Sequence, residues 1–209
     1  MSHERIIAGI STGDINGIGL EVIIKTFTDP TMFELCTPVV FGSYRTGAAY
    51  RKHLGIEDFS FNQIKEVSEA NAKRLNIINV YDEEILPEYG KQTATAGRCS
   101  FLSLEAAAYA LAQGKTNVLI TAPINKENIQ SKDFNFPGHT EYLQDRFGGK
   151  SLMLLMSDTL KVAMVTGHLP MAEVAKTISQ DKIIEQLITL NQSLIKDFNY
   201  TKPRIAVLG

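Results

Sequence analysis

Residues 6–27 read IIAGISTGDINGIGLEVIIKTF, and this stretch decides the fold. The apolar run at 6–10 predicts a strand. A turn with Gly13, Gly17 and Gly19 follows, and apolar residues at helical spacing then carry a helix to Phe27, which Asp29-Pro30 ends. The same order of short strand, turn and helix recurs downstream. Strands are predicted at 38–41, 76–80 and 117–121, and helices at 43–54 and 97–113. On the last helix Phe101, Leu104, Ala108 and Leu111 share one face, and Gly114 supplies a stop. Residues 81–92 carry Pro87 and Gly90 and read as an excursion. Strands alternating with helices define an α/β protein. The run Val118-Leu119-Ile120 suits a strand in the middle of a sheet covered on both faces.

The second half changes character. Strands predicted at 151–156 and 161–165 are joined by Ser157-Asp158-Thr159, short enough for a hairpin, so the sheets are expected to be mixed. An amphipathic helix at 181–198 carries Ile184, Leu187, Ile188, Leu194 and Ile195 as its stripe. A last strand is predicted at 204–208. Strands of α/β sheets normally lead into a loop and helix, so the sequence is expected to be a truncated piece of a longer protein. Two incomplete domains are expected, residues 1–128 and residues 129–209, with the second carrying the cleft residues.

Bulk composition excludes several classes. Of the 209 residues, 44% are hydrophobic and 21% charged, ordinary for a globular chain. A formal net charge of −2 without basic clustering argues against a nucleic-acid partner. No apolar run approaches the about 20 residues that cross a bilayer, and the first residues lack a signal region, so a membrane partner is excluded and a cytoplasmic location is expected. Cys36 and Cys99 stand apart, which suggests reduced thiols rather than a zinc knuckle or a disulfide framework.

Four constellations could carry chemistry. The turn Thr12-Gly13-Asp14-Ile15-Asn16-Gly17-Ile18-Gly19 follows a strand and opens a helix. It could present helix N–H groups to an anion, or it could be a tight strand–helix turn capped by Asp14. It is not the dinucleotide fingerprint, because Ile15 stands where that pattern needs glycine. Thr121-Ala122-Pro123-Ile124-Asn125-Lys126 lies beyond a strand's carboxyl end, where ligands collect in open α/β sheets. Lys126 there could meet a carboxylate, a phosphate or a developing negative charge, or could be solvated. Pro137-Gly138-His139-Thr140-Glu141 places an imidazole and a hydroxyl at a helix start. Thr166-Gly167-His168-Leu169-Pro170 sets His168 past a strand end, suited to a metal ligand or proton carrier as well as to a structural role. Gly149-Lys150-Ser151 echoes a phosphate loop, but Gln144 stands where that motif needs glycine. Metal chemistry is under-supplied, since a catalytic ion takes about three protein ligands and His168 is the one strong candidate.

Together, Gly13-Asp14, Gly17-Ile18-Gly19, Glu21, Thr121-Ala122-Pro123, Lys126, Gly138-His139-Thr140-Glu141 and His168-Leu169-Pro170 resemble the 4-hydroxythreonine-4-phosphate dehydrogenase family of vitamin B6 biosynthesis. The resemblance spans the chain, in order and separation. It implies a two-domain architecture similar to isocitrate and isopropylmalate dehydrogenases, with the active site in a cleft completed by the second subunit of a homodimer. It implies NAD-dependent oxidation and decarboxylation of 4-hydroxythreonine-4-phosphate to 3-amino-2-oxopropyl phosphate. It also implies a divalent metal (Zn, Mg or Co) on three histidines. By the same resemblance His168 matches the first metal histidine, His139 and Thr140 match a pair that contacts substrate, and Asp14 and Lys126 could line the site. The family often has proline where Ile15 and Leu20 stand. Its other metal histidines lie beyond Gly209, so the 209-residue chain alone is expected to be inactive. The alternatives are a dehydrogenase for another four-carbon hydroxy-acid phosphate of threonate or erythronate type, and a non-catalytic α/β remnant that only dimerises.

Overall fold

The computed structural model describes residues 5–81 and 84–208. His3, Asp82 and Glu83 of the 81–92 excursion, and Gly209 lie outside the described residues. The chain divides into two compact units, Met1–Gly148 and Gly149–Gly209.

The first unit is built on a parallel sheet of strands β1 (Ile7–Ser11), β2 (Thr37–Gly42), β3 (Asn62–Ile64), β4 (Asn76–Asn79) and β5 (Val118–Thr121), in the order β3-β4-β2-β1-β5. Register runs Ile10 against Val40 on one side of β1 and Ile10 against Ile120 on the other. Helices α1 (Gly19–Phe27), α2 (Met32–Leu35), α3 (Tyr44–His53), α4 (Ala94–Ala112) and α5 (His139–Phe147) accompany it. Apolar side chains alternate across the strands. Ile10, Val40 and Ile77 therefore pack with Leu20, Ile23, Ile24 and Tyr50 in one cluster, while Val39, Phe41 and Ile64 pack with Ala107 and Ala110 of α4 in another. The alanines of α4 let that helix lie close on the sheet. Its N-cap is Thr93, which accepts from Ala96 N, so the helix starts earlier than the glycine at 97 suggested.

Three expectations are corrected here. β5 lies at the sheet's outer position, not its middle, and Val118 and Ile120 are 40% and 46% exposed. An apolar run records burial tendency but does not specify how many neighbours a strand has. The sheet is wholly parallel; the expected mixture arises because a separate antiparallel pair, β6 (Leu154–Met156) with β7 (Lys161–Ala163), forms the predicted hairpin. Residues 203–208 form no strand among the described residues, because an extended segment needs a ladder partner to become one.

The boundary of the compact units also falls later than 128/129. Ile129, Phe134 and Tyr142 are buried against Leu104 and Ala108 of α4, which holds residues 129–148 to the first unit. Besides the hairpin, the second unit contains α6 (Met171–Thr177) and α7 (Gln180–Lys196), the latter capped by Ser179, whose side chain accepts from Lys182 N. No described helix is long and apolar enough to cross a membrane.

Candidate functional site

Because all five strands run parallel, the turns after β1 and β5 emerge at one edge of the sheet, and they interlock there. Gly13 has φ +65°, and a Cβ on it would lie 2.2 Å from Pro123 O. Only glycine both adopts that backbone and permits that approach. Asp14 N donates to Pro123 O at 2.9 Å. The Asp14 carboxylate is buried and turned inward. Its Oδ1 accepts from Asn16 N at 2.8 Å, and its Oδ2 accepts from Asn128 Nδ2 at 2.9 Å. The expected capping of α1 by Asp14 is therefore corrected. The residue at that N-cap is Ile18, without a side-chain bond, and Asp14 instead forms a local turn and ties the two loops.

The neighbouring residues complete a fixed wall. Asn16 donates to Lys91 O and Thr93 Oγ1 at 2.9 and 3.1 Å and accepts from Glu88 N at 2.8 Å, which binds residues 88–93 to the turn. The Tyr50 hydroxyl lies 2.8 Å from Ile15 O and 2.6 Å from Gly17 O, and burial raises its pKa, so it stays a donor. Ser103 of α4 accepts from Thr12 N at 2.8 Å and donates to Phe41 O. Of the two readings left open for this turn, the geometry favours the tight structural one. Asn16 and Asn128 were missed from the sequence. Asparagines in polar turns were the available signal, but their long-range partners are not encoded locally.

Lys126 and His139 do come together. Gly138, the N-cap of α5, is extended, and a Cβ there would lie 3.6 Å from Lys126 Cε and 3.9 Å from its Nζ. His139 is the first residue of α5. Burial, and then the Lys126 ammonium, hold its imidazole below the usual histidine range. Its Nε2 is buried without a hydrogen-bond partner. Thr140, beside it, is exposed. The edge thus gathers an exposed ammonium, a buried imidazole nitrogen without a partner and an accessible hydroxyl, a set suited to a small anionic, hydroxylated ligand.

His168 lies in the second unit, between β7 and α6, and is exposed. Among the described residues no three His, Cys, Asp or Glu side chains gather as a metal site, so these residues alone do not fit a catalytic ion. Cys36 and Cys99 form no disulfide among the described residues, and Cys99 is buried.

A parallel sheet with polar turns collected at the carboxyl ends of its strands is the α/β class of ligand-binding scaffold. The family described as "Pyridoxal phosphate biosynthetic protein PdxA" matches residues 34–209, and the chain belongs to that family. It is 46% identical over 211 aligned residues to the 4-hydroxythreonine-4-phosphate dehydrogenase of Bacteroides thetaiotaomicron, covering 100% of this chain and 58% of that protein. It is 30% identical to the D-threonate 4-phosphate dehydrogenase of Cupriavidus necator, covering 100% of this chain and 63% of that protein. Among solved structures, a 4-hydroxythreonine-4-phosphate dehydrogenase from Burkholderia phymatum superposes with a TM-score of 0.86 at 26% identity, covering 97% of this chain and 62% of that one. The isocitrate dehydrogenase-like α/β fold follows from this likeness. The chain spans about three fifths of the length of these relatives.

Proposed function

We propose that the chain is part of a 4-hydroxythreonine-4-phosphate dehydrogenase, which oxidises the secondary alcohol of that substrate and releases carbon dioxide to give 3-amino-2-oxopropyl phosphate. The observation that carries this reading is the 46% identity along the whole chain to a dehydrogenase of that name, against 30% to a D-threonate 4-phosphate dehydrogenase. NAD as hydride acceptor, a divalent ion with His168 as one ligand, a homodimer and a cytoplasmic location belong to the same proposal. NAD would carry the hydride away, while the protein orients the alcohol.

The residues of this chain supply recognition. His139 and Thr140 contact the substrate at the start of α5, and Lys126 keeps that edge positively charged. Asp14 supports the wall behind them, because both its oxygens are engaged by Asn16 and Asn128.

NADH formation by the natural gene product tests the proposal, with NAD, a divalent salt and either 4-hydroxythreonine-4-phosphate or D-threonate 4-phosphate. Faster turnover of the former is expected. Preference for the latter would reassign the substrate, and turnover of neither would defeat the dehydrogenase reading.

A further inference from the structure

The pair formed by Lys126 and His139 has a chemical consequence. A neutral imidazole has one donor and one acceptor nitrogen, whereas the cation has two donors. His139 Nε2 is buried and has no partner. The ammonium of Lys126 lies 3.9 Å from where a Cβ would stand on Gly138, the residue immediately before His139. His139 also occupies the first position of α5, where the helix dipole is positive and disfavours a second cation. We propose that Lys126 is a positioning residue for His139, reserving Nε2 as a hydrogen-bond acceptor for a substrate hydroxyl.

Other charged groups approach this corner from α5, α4 and the β1–α1 turn. On α5 itself, Glu141 places Oε2 3.6 Å from the same Gly138 position, yet it forms no ion pair with Lys126 or His139 among the described residues. On α4, Glu105 is engaged by Arg146 at 3.2 Å and by the Tyr142 hydroxyl, so both its oxygens have partners other than His139. On the β1–α1 turn, Asp14 is held by Asn16 N and Asn128 Nδ2. Lys126 is thus the charged group that acts on His139 together with its burial. Lys126 is exposed, so substitution there leaves the packed core untouched.

The proposal rests on the dehydrogenase reading for the identity of the hydroxyl, but its first test does not. Imidazole signals of the 209-residue chain are followed by NMR through a pH titration, with His139→Gln used for assignment. Replacing Lys126 by Met is expected to move the His139 midpoint upward, while Lys126→Arg leaves it in place. A midpoint unmoved by Lys126→Met would overturn the proposal.

The second test is the KM of the natural gene product for 4-hydroxythreonine-4-phosphate across the histidine range, about pH 6 to 8. In Lys126→Met, KM is expected to rise about 2- to 10-fold more than in wild type as pH falls, which is the worth of one lost hydrogen bond. A KM that falls with pH would show His139 acting as a cation and would also overturn the proposal. Absence of turnover in the wild type defeats the dehydrogenase reading, and the titration still decides the coupling of Lys126 to His139.

Discussion

In residues 5–148, Ile24, Val39, Val40, Ile77 and Leu104 are wholly screened from water, and buried polar groups such as Asn76 and Ser103 have partners from several elements. Residues 149–208 contribute only Leu190 and Leu194 to the buried set among the described residues, while Met171 is 88% exposed and Ile184, Ile188 and Ile195 line an open face of α7. The same 3.6-residue pattern thus gives a closed core in one unit and an unclosed stripe in the other. A parallel sheet screens apolar side chains on both faces, whereas a two-stranded hairpin and two helices are too small to do so. The first unit is therefore expected to hold its amides against hydrogen exchange far longer than the second.

The sharpest way to break that contrast is at Gly97. A Cβ there would lie 1.9 Å from Asn128 O, where α4 meets the loop after β5. Gly97→Ala forces backbone apart and is expected to destabilise the first unit by about 3 kcal/mol, read as a lower denaturation midpoint. Gly149 has nothing within 4 Å of its Cβ position, and Gly149→Ala is expected to stay within about 0.5 kcal/mol of wild type. Equal effects at the two sites would show that close packing does not distinguish the units.

The next effect concerns whether Asp14 supports the wall or acts on substrate. Asp14→Ala strands Asn16 N and Asn128 Nδ2 without their acceptor, and the expected loss is about 1–3 kcal/mol. Unchanged stability with lost activity would instead make Asp14 a site residue.

How much of this was legible in the sequence depended on whether a feature is local. The helix over 43–54 was read almost to its observed ends, because Ser43 caps it and Gly55 follows it. The hairpin was legible because its strands are separated by a short polar link. β3 was missed, since Asn62-Gln63-Ile64 has no apolar alternation and becomes a strand only by pairing with β4. The outer position of β5 was equally hidden, because its order in the sheet depends on strands distant in sequence. Within the site, His139 and Lys126 could be picked out as residue types at element ends. Their juxtaposition, and the bond from Asn128 to Asp14, are products of the fold.

The smallest effect is also the most even-handed comparison, because it makes the same chemical change in each unit. Thr93 caps α4 by accepting from Ala96 N at 3.2 Å, and Ser179 caps α7 by accepting from Lys182 N at 3.2 Å. Replacing either by Ala removes one side-chain acceptor from a helix N-terminus, at a cost of about 1 kcal/mol. Thr93 carries an additional bond from Asn16 Nδ2, so its loss also loosens the β1–α1 turn and should fall at the upper end of that range. Hydrogen exchange separates the consequences. Thr93→Ala should accelerate exchange in α4 and the sheet, and Ser179→Ala in α7 alone. If each substitution instead accelerated exchange across both units equally, the chain would unfold as one cooperative body and the contrast between a closed and an unclosed unit would have no energetic meaning. If the effects stay separate, the unclosed stripe of α7 belongs to a region whose stability is set locally.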